Sequence, residues 1–128
     1  MELQNEVRER LKQFGYKAED EDELCIAFCI NKVCEQIKNK CNTEDVPSGL
    51  KYTAIDMICG EFLFTKKQTG RLELEALDLD GAITQIHEGD ITVQFADGAS
   101  DEEKLNTFLN YLLHNGEGDF VCYRKLKW

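Results

Sequence analysis

Residues 48–66 constrain this chain more than any other stretch. Leu50, Ala54, Ile55, Met57, Ile58, Cys59, Phe62, Leu63 and Phe64 fall around most of a helical circumference. A helix with so little polar face has to be surrounded, so it is the buried centre of a bundle. Pro47 suits its first turn, where a missing N–H costs nothing. Gly60, in its middle, signals either a close helix contact or a tolerated cost of about 1 kcal/mol.

Other segments can surround it. In residues 2–14, Leu3, Val7, Leu11 and Phe14 recur at helical spacing, and Gly15 is a natural stop. An acidic run, Glu19 to Glu23, precedes a second helix over residues 22–41, where carboxylates favour the positive N-terminal end. Its stripe is Ile26, Ile30, Val33, Ile37 and Cys41, with Lys32, Glu35, Lys38 and Asn39 opposite. Leu24, Cys25 and Phe28 point away from that stripe, so the first helix or a neighbouring subunit has to cover them. Ser100 with Glu103 forms a capping box. It opens a last helix to residue 114, with Leu105, Phe108, Leu109, Leu112 and Leu113 as its stripe.

Between the third and last helices the pattern changes. Leu72, Leu74, Leu77 and Leu79 alternate with Glu73, Glu75, Asp78 and Asp80, which fits either a short helix or an irregular loop. Residues 82–87 and 90–95 are rich in β-branched side chains and flank Gly89, predicting two short strands and a turn. An isolated hairpin is marginal in water and needs helices or another chain beside it. The fold expected is mainly α: one domain, a small bundle of about four helices, with a β-hairpin inserted before the last. Its parts are an N-terminal helix (1–15), central helices (20–66), a hairpin (79–96), the last helix (100–114) and a tail (119–128).

The bulk numbers agree with one folded domain. The chain has 128 residues, 42% hydrophobic and 31% charged. A net charge of -10 disfavours gripping nucleic-acid phosphates or anionic membrane, which needs clustered Lys and Arg. It suits solubility, or a surface that faces DNA without holding it. No stretch approaches the length of a membrane span. The opening residues lack the basic and apolar blocks of a signal peptide, so folding is expected in the cytosol, with the six cysteines mostly free thiols.

Sequence support for chemistry is thin. Cys25, Cys29, Cys34 and Cys41 share one helix, but Cys34 lies half a turn round from Cys25. One tetrahedral zinc cannot gather them, and small buried hydrophobes are the plainer reading. His87 and His114 end a strand and a helix, without a nucleophile or metal partner at recognised spacing. Asp78-x-Asp80-Gly81 starts like a calcium loop, but the closing position holds Gly89. No phosphate-binding glycine loop and no Gly-x-Ser-x-Gly is present. Expected cofactors and metals are therefore none. The tail, with Phe120, Tyr123, Arg124, Lys125, Lys127 and Trp128, fits docking on protein better than on nucleic acid.

Three stretches together carry a resemblance: Asp20-Glu21-Asp22-Glu23-Leu24, Val46-Pro47-Ser48-Gly49-Leu50-Lys51-Tyr52, and Ile83 through Phe95. The chain resembles the head–tail connector (head-completion) proteins of long-tailed phages and defective prophages over residues 19–114. The resemblance implies a small non-catalytic helical bundle. It implies a homo-oligomeric ring under the portal protein that extends the DNA channel and receives the next connector or tail component. DNA would pass without specific binding. The place would be the virion, after a bacterial cytoplasmic stage. Portal docking would fall to Phe120, Tyr123, Arg124, Lys125, Lys127 and Trp128. Subunit contacts would involve Leu24 and Phe28 on one face and Ile83, Ile86, Ile91, Val93 and Phe95 on the other. Asp78, Asp80, Glu88 and Asp90 would face the channel. The alternative is a soluble acidic interaction module, a regulator or an imitator of DNA charge.

Overall fold

The computed structural model describes residues 3–70 and 101–114, with Gly116 and Phe120. Among these residues it is a bundle of four helices: α1 (Gln4–Gln13), α2 (Glu23–Cys41), α3 (Lys51–Gln68) and α4 (Asp101–His114). Single 3-10 turns, Asp20–Asp22 and Ser48–Leu50, lead into α2 and α3. The expected hairpin and the capping Ser100 lie outside the described residues.

The central role of α3 follows from its side chains. It touches α1, α2 and α4. Ala54, Ile55, Met57, Ile58, Cys59, Gly60, Phe62 and Leu63 are all buried. Phe64 is a correction to the expected ring of buried residues, being 40% exposed. The helix also starts later than expected. Pro47 is extended, and Ser48–Leu50 form a 3-10 turn before Lys51. Gly60 admits α4 closely: a Cβ there would lie 2.9 Å from the Leu112 Cβ. Gly116, just past α4, is tighter still, since a Cβ would meet the Thr53 side chain at 2.1 Å.

Ion pairs give the relative directions. Glu6 pairs with Lys51 (2.9 Å) and Arg10 with Asp56 (2.8 Å), so α1 runs parallel to α3. Lys32 pairs with Glu61 (2.5 Å) and Asp22 with Lys66 (3.0 Å), so α2 runs antiparallel to it. Lys67 hydrogen-bonds Asn106, and Gly116 meets Thr53, so α4 is antiparallel as well.

The helix ends are closed locally. After α1 the Tyr16 N–H donates to the Leu11 carbonyl (2.9 Å) and the Gly15 N–H to the Lys12 carbonyl (3.0 Å). That is a Schellman ending, and Gly15 at φ +90° supplies the left-handed residue it needs. Its companion contact is present too, as Leu11 and Tyr16 are both buried. Leu3, Val7, Leu11 and Phe14 are buried as their spacing predicts. Edge-on contacts between Phe14 and Phe108 (5.0 Å) and between Tyr16 and Phe62 (5.5 Å) tie this end to α4 and α3. Burying each such side chain is worth about 1.5–3 kcal/mol.

Candidate interaction surface

The inward stripe of α2 is Ile26, Cys29, Val33, Ile37 and Cys41, with Ile30 half-buried at its edge. Cys29 therefore replaces Ile30 in the expected stripe. Leu24 and Phe28 lie on the other side of the helix, 86% and 67% exposed. An open cleft between α1 and α2 is lined by Ala27 and Ile30, and α1 leaves the Leu24–Phe28 pair uncovered. Of the two covers the sequence allowed, α1 is thus ruled out.

A groove of about 490 Å³ opens between α1 and α3, with a mostly carbon-lined surface. Tyr52 and Ile55 form its apolar part, and Tyr52 is 78% exposed. The Glu6–Lys51 and Arg10–Asp56 pairs span it. One oxygen of Glu6 binds Lys51, whereas Oε2 is shielded from solvent and has no hydrogen-bond donor among the described residues. Shielded acceptors normally find a partner, so this one marks an unfinished spot. The Glu6 carboxylate raises the Lys51 ammonium above its ordinary value through their hydrogen bond and charge attraction.

The acidic run before α2 proves to be two kinds of residue. Glu19, Asp20, Glu21 and Glu23 are exposed, but Asp22 is buried. Its carboxylate accepts from the Tyr16 hydroxyl (2.8 Å), the Glu19 N–H (3.1 Å) and Lys66 (3.0 Å). Burial alone acts to raise this carboxyl, but those three donors and the Lys66 charge bring it below its ordinary value. Tyr16 shifts up, first by burial and then by its bond to Asp22. The cluster ties the end of α1, the start of α2 and the end of α3 together. Sequence reading missed it, although the spacing of Glu19 and Asp22 is a capping-box signal.

Cys29, Cys41 and Cys59 are buried, while Cys25 and Cys34 are half-buried; all five are free. Burial pushes the Cys29 thiol up to about 12, helped by neighbouring Cys25. Burial also raises Cys34, Cys41 and Cys59. At neutral pH these four stay protonated, and a thiol is a poor nucleophile and metal ligand compared with a thiolate. No group of three or more His, Cys, Asp or Glu able to hold a metal occurs among the described residues. Among them, no helix is long and apolar enough to cross a membrane.

Phe120 requires a correction. Expected on an exposed docking tail, it is 4% exposed and belongs to the core. Its carbonyl accepts from the Cys41 thiol (3.8 Å), and Lys40 sits over its ring (5.7 Å). The end of α2 offered an apolar seat, which a local reading of the tail could not reveal. The remaining tail candidates, Tyr123, Arg124, Lys125, Lys127 and Trp128, lie outside the described residues. So do Ile83, Ile86, Ile91, Val93, Phe95, Asp78, Asp80, Glu88, Asp90 and His87.

Comparison with known proteins adds no neighbour: no family model, no curated protein and no solved structure matches the chain.

Proposed function

We propose that this chain is a structural subunit of a tailed-phage or prophage particle, a head–tail connector that forms a ring on the portal. The observation that carries this reading is the Leu24–Phe28 pair, two large apolar side chains one turn apart that no other described residue covers. Exposed apolar side chains adjacent on a surface are natural contacts for another protein. The resemblance over residues 19–114 names the kind of assembly. Charge distribution supports the channel part of the proposal: residues 71–100 hold seven carboxylates and one arginine. They carry six of the ten net negative charges of the chain. A wall of that sign lets DNA slide past unheld.

The test is to mix purified chain with portal and image by negative stain. Rings capping the portal are expected. A chain that never engages portal at any concentration contradicts the proposal. The same carboxylate-rich segment favours a second reading, an acidic module that occupies a basic DNA-binding protein. Pull-down of such a protein from host lysate, without particle association, would select it.

A further inference from the structure

We propose that the basic C-terminal tail of one copy docks on the Leu24–Phe28 face of the next, joining copies head to tail. This rests on the self-assembly half of the function proposed above, and it gives the tail to a neighbouring copy rather than to the portal. The face is more than an apolar pair. Asp20 and Glu21 stand four and three residues before Leu24, on its side of the helix and one turn nearer the N-terminus. Both are exposed, and neither has an ion pair among the described residues. The flanking charges are engaged, Glu23 by Arg8 (2.7 Å) and Lys32 by Glu61 (2.5 Å). Lys17 lines a cleft beside α1 instead. The uncommitted charge beside Leu24 and Phe28 is therefore negative.

The occupant follows from charge and reach. The chain as a whole carries -10, yet residues 120–128 hold three cations and no acidic side chain. Opposite charges meeting around an apolar centre steer and orient association. Within one copy the two sites cannot meet. Phe120 is fixed at the far end of α2, where its carbonyl accepts from Cys41 (3.8 Å). Glu21 lies about 30 Å from Cys41 along the helix axis. Arg124, four residues past Phe120, reaches at most about 14 Å, so its pairing needs a second copy. The spacing also agrees. Leu24 and Phe28 are about 6 Å apart along the axis, and alternate residues of an extended segment are about 6.6 Å apart on one side. A tail laid extended along α2 puts Leu126 and Trp128 on Leu24 and Phe28, and Arg124 beside Asp20 and Glu21. Each copy then offers one tail and one patch, two different faces, as head-to-tail assembly requires.

Two full-length variants test the contact by sedimentation velocity. One reverses the tail with Arg124→Glu, Lys125→Glu and Lys127→Glu. The other reverses the patch with Asp20→Lys and Glu21→Lys, both at exposed positions. Unchanged far-ultraviolet dichroism establishes that each variant folds. Wild type is expected to associate progressively with concentration. Each variant alone should associate roughly tenfold more weakly or worse, because like charges then face each other. Mixed one to one they should recover association, since each tail then meets a patch of opposite sign. Association that survives either reversal, or that the mixture fails to recover, overturns this contact but leaves self-assembly standing. A second measurement needs no variant: added salt should weaken wild-type association, and an association that salt leaves unchanged or strengthens overturns the contact. Wild type that remains monomeric up to its solubility limit overturns the contact outright, and portal binding then decides the function separately.

Discussion

Helices α2 and α3 are nearly equal in length, 19 and 18 residues, yet they use their apolar side chains differently. On α3 nearly every large one is enclosed by three neighbouring helices, with Phe64 and Tyr52 as the exceptions. On α2 one stripe is enclosed, while Leu24 and Phe28 stand in solvent on the other side. An enclosed side chain is accounted for by the fold. An uncovered pair is not, and points to something outside the chain. The comparison is sharpest between Phe62, fully buried, and Phe28, 67% exposed.

The largest effect belongs to Phe62→Ala. The ring packs edge-on to Tyr16 at the centre of the bundle. Its loss should cost about 3–5 kcal/mol, measured as a lower urea midpoint with an unchanged slope. A loss under about 1 kcal/mol would mean that α3 is not the enclosed helix described here.

Asp22→Ala comes close behind. It strands Lys66, whose side chain is only 14% exposed, and leaves the Tyr16 hydroxyl without its acceptor. Removing one member of a buried pair costs about 3–5 kcal/mol. The pair also makes stability depend on pH. The folded carboxyl lies below its unfolded value, so its contribution is complete above the unfolded value of about 3.9. It is lost as pH falls through the lower folded value. Asp22→Asn should therefore flatten the acid limb of a stability–pH curve. An acid limb as steep as in wild type would show that other carboxylates govern it.

Gly60→Ala should have a smaller effect, because two terms oppose. A Cβ 2.9 Å from the Leu112 Cβ forces α3 and α4 apart, at about 1–3 kcal/mol. Alanine regains about 1 kcal/mol of helix propensity. The net loss should be roughly 0–2 kcal/mol. A stabilised variant would show that the two helices can separate freely.

How far the sequence discloses these differences depends on the range of the interaction. Periodicity made α3 central and Gly15 announced a stop, because each works within a few residues of chain; Gly60 left a close contact and a tolerated cost both open, and its neighbour Leu112 lies on another helix. The same periodicity turned Leu24 and Phe28 away from the stripe of α2, but whether α1 covers them was left open by the sequence and is answered only by the packing. Of the Asp22 cluster only the Glu19–Asp22 spacing was legible, since its partner Lys66 lies 44 residues away and its neighbours are solvated carboxylates. Phe120 failed for the same reason: its seat on Cys41 lies 79 residues back. The groove was hidden too, because it depends on α1 and α3 running parallel, a relation that no local pattern encodes.

The smallest expected effect does most to separate α2 from α3. Phe28→Ala removes the same atoms as Phe62→Ala, but from a side chain already 67% exposed. Such a ring is hydrated in the folded and unfolded states alike, so little burial free energy is lost. Alanine is the better helix former by a few tenths of a kcal/mol, which acts in the opposite direction. The change in unfolding free energy should therefore stay within about 0.5 kcal/mol of zero. A loss above about 1 kcal/mol would mean that the ring packs against its own chain. Phe28 would then be a core residue like Phe62, with no free aromatic face to offer a second copy.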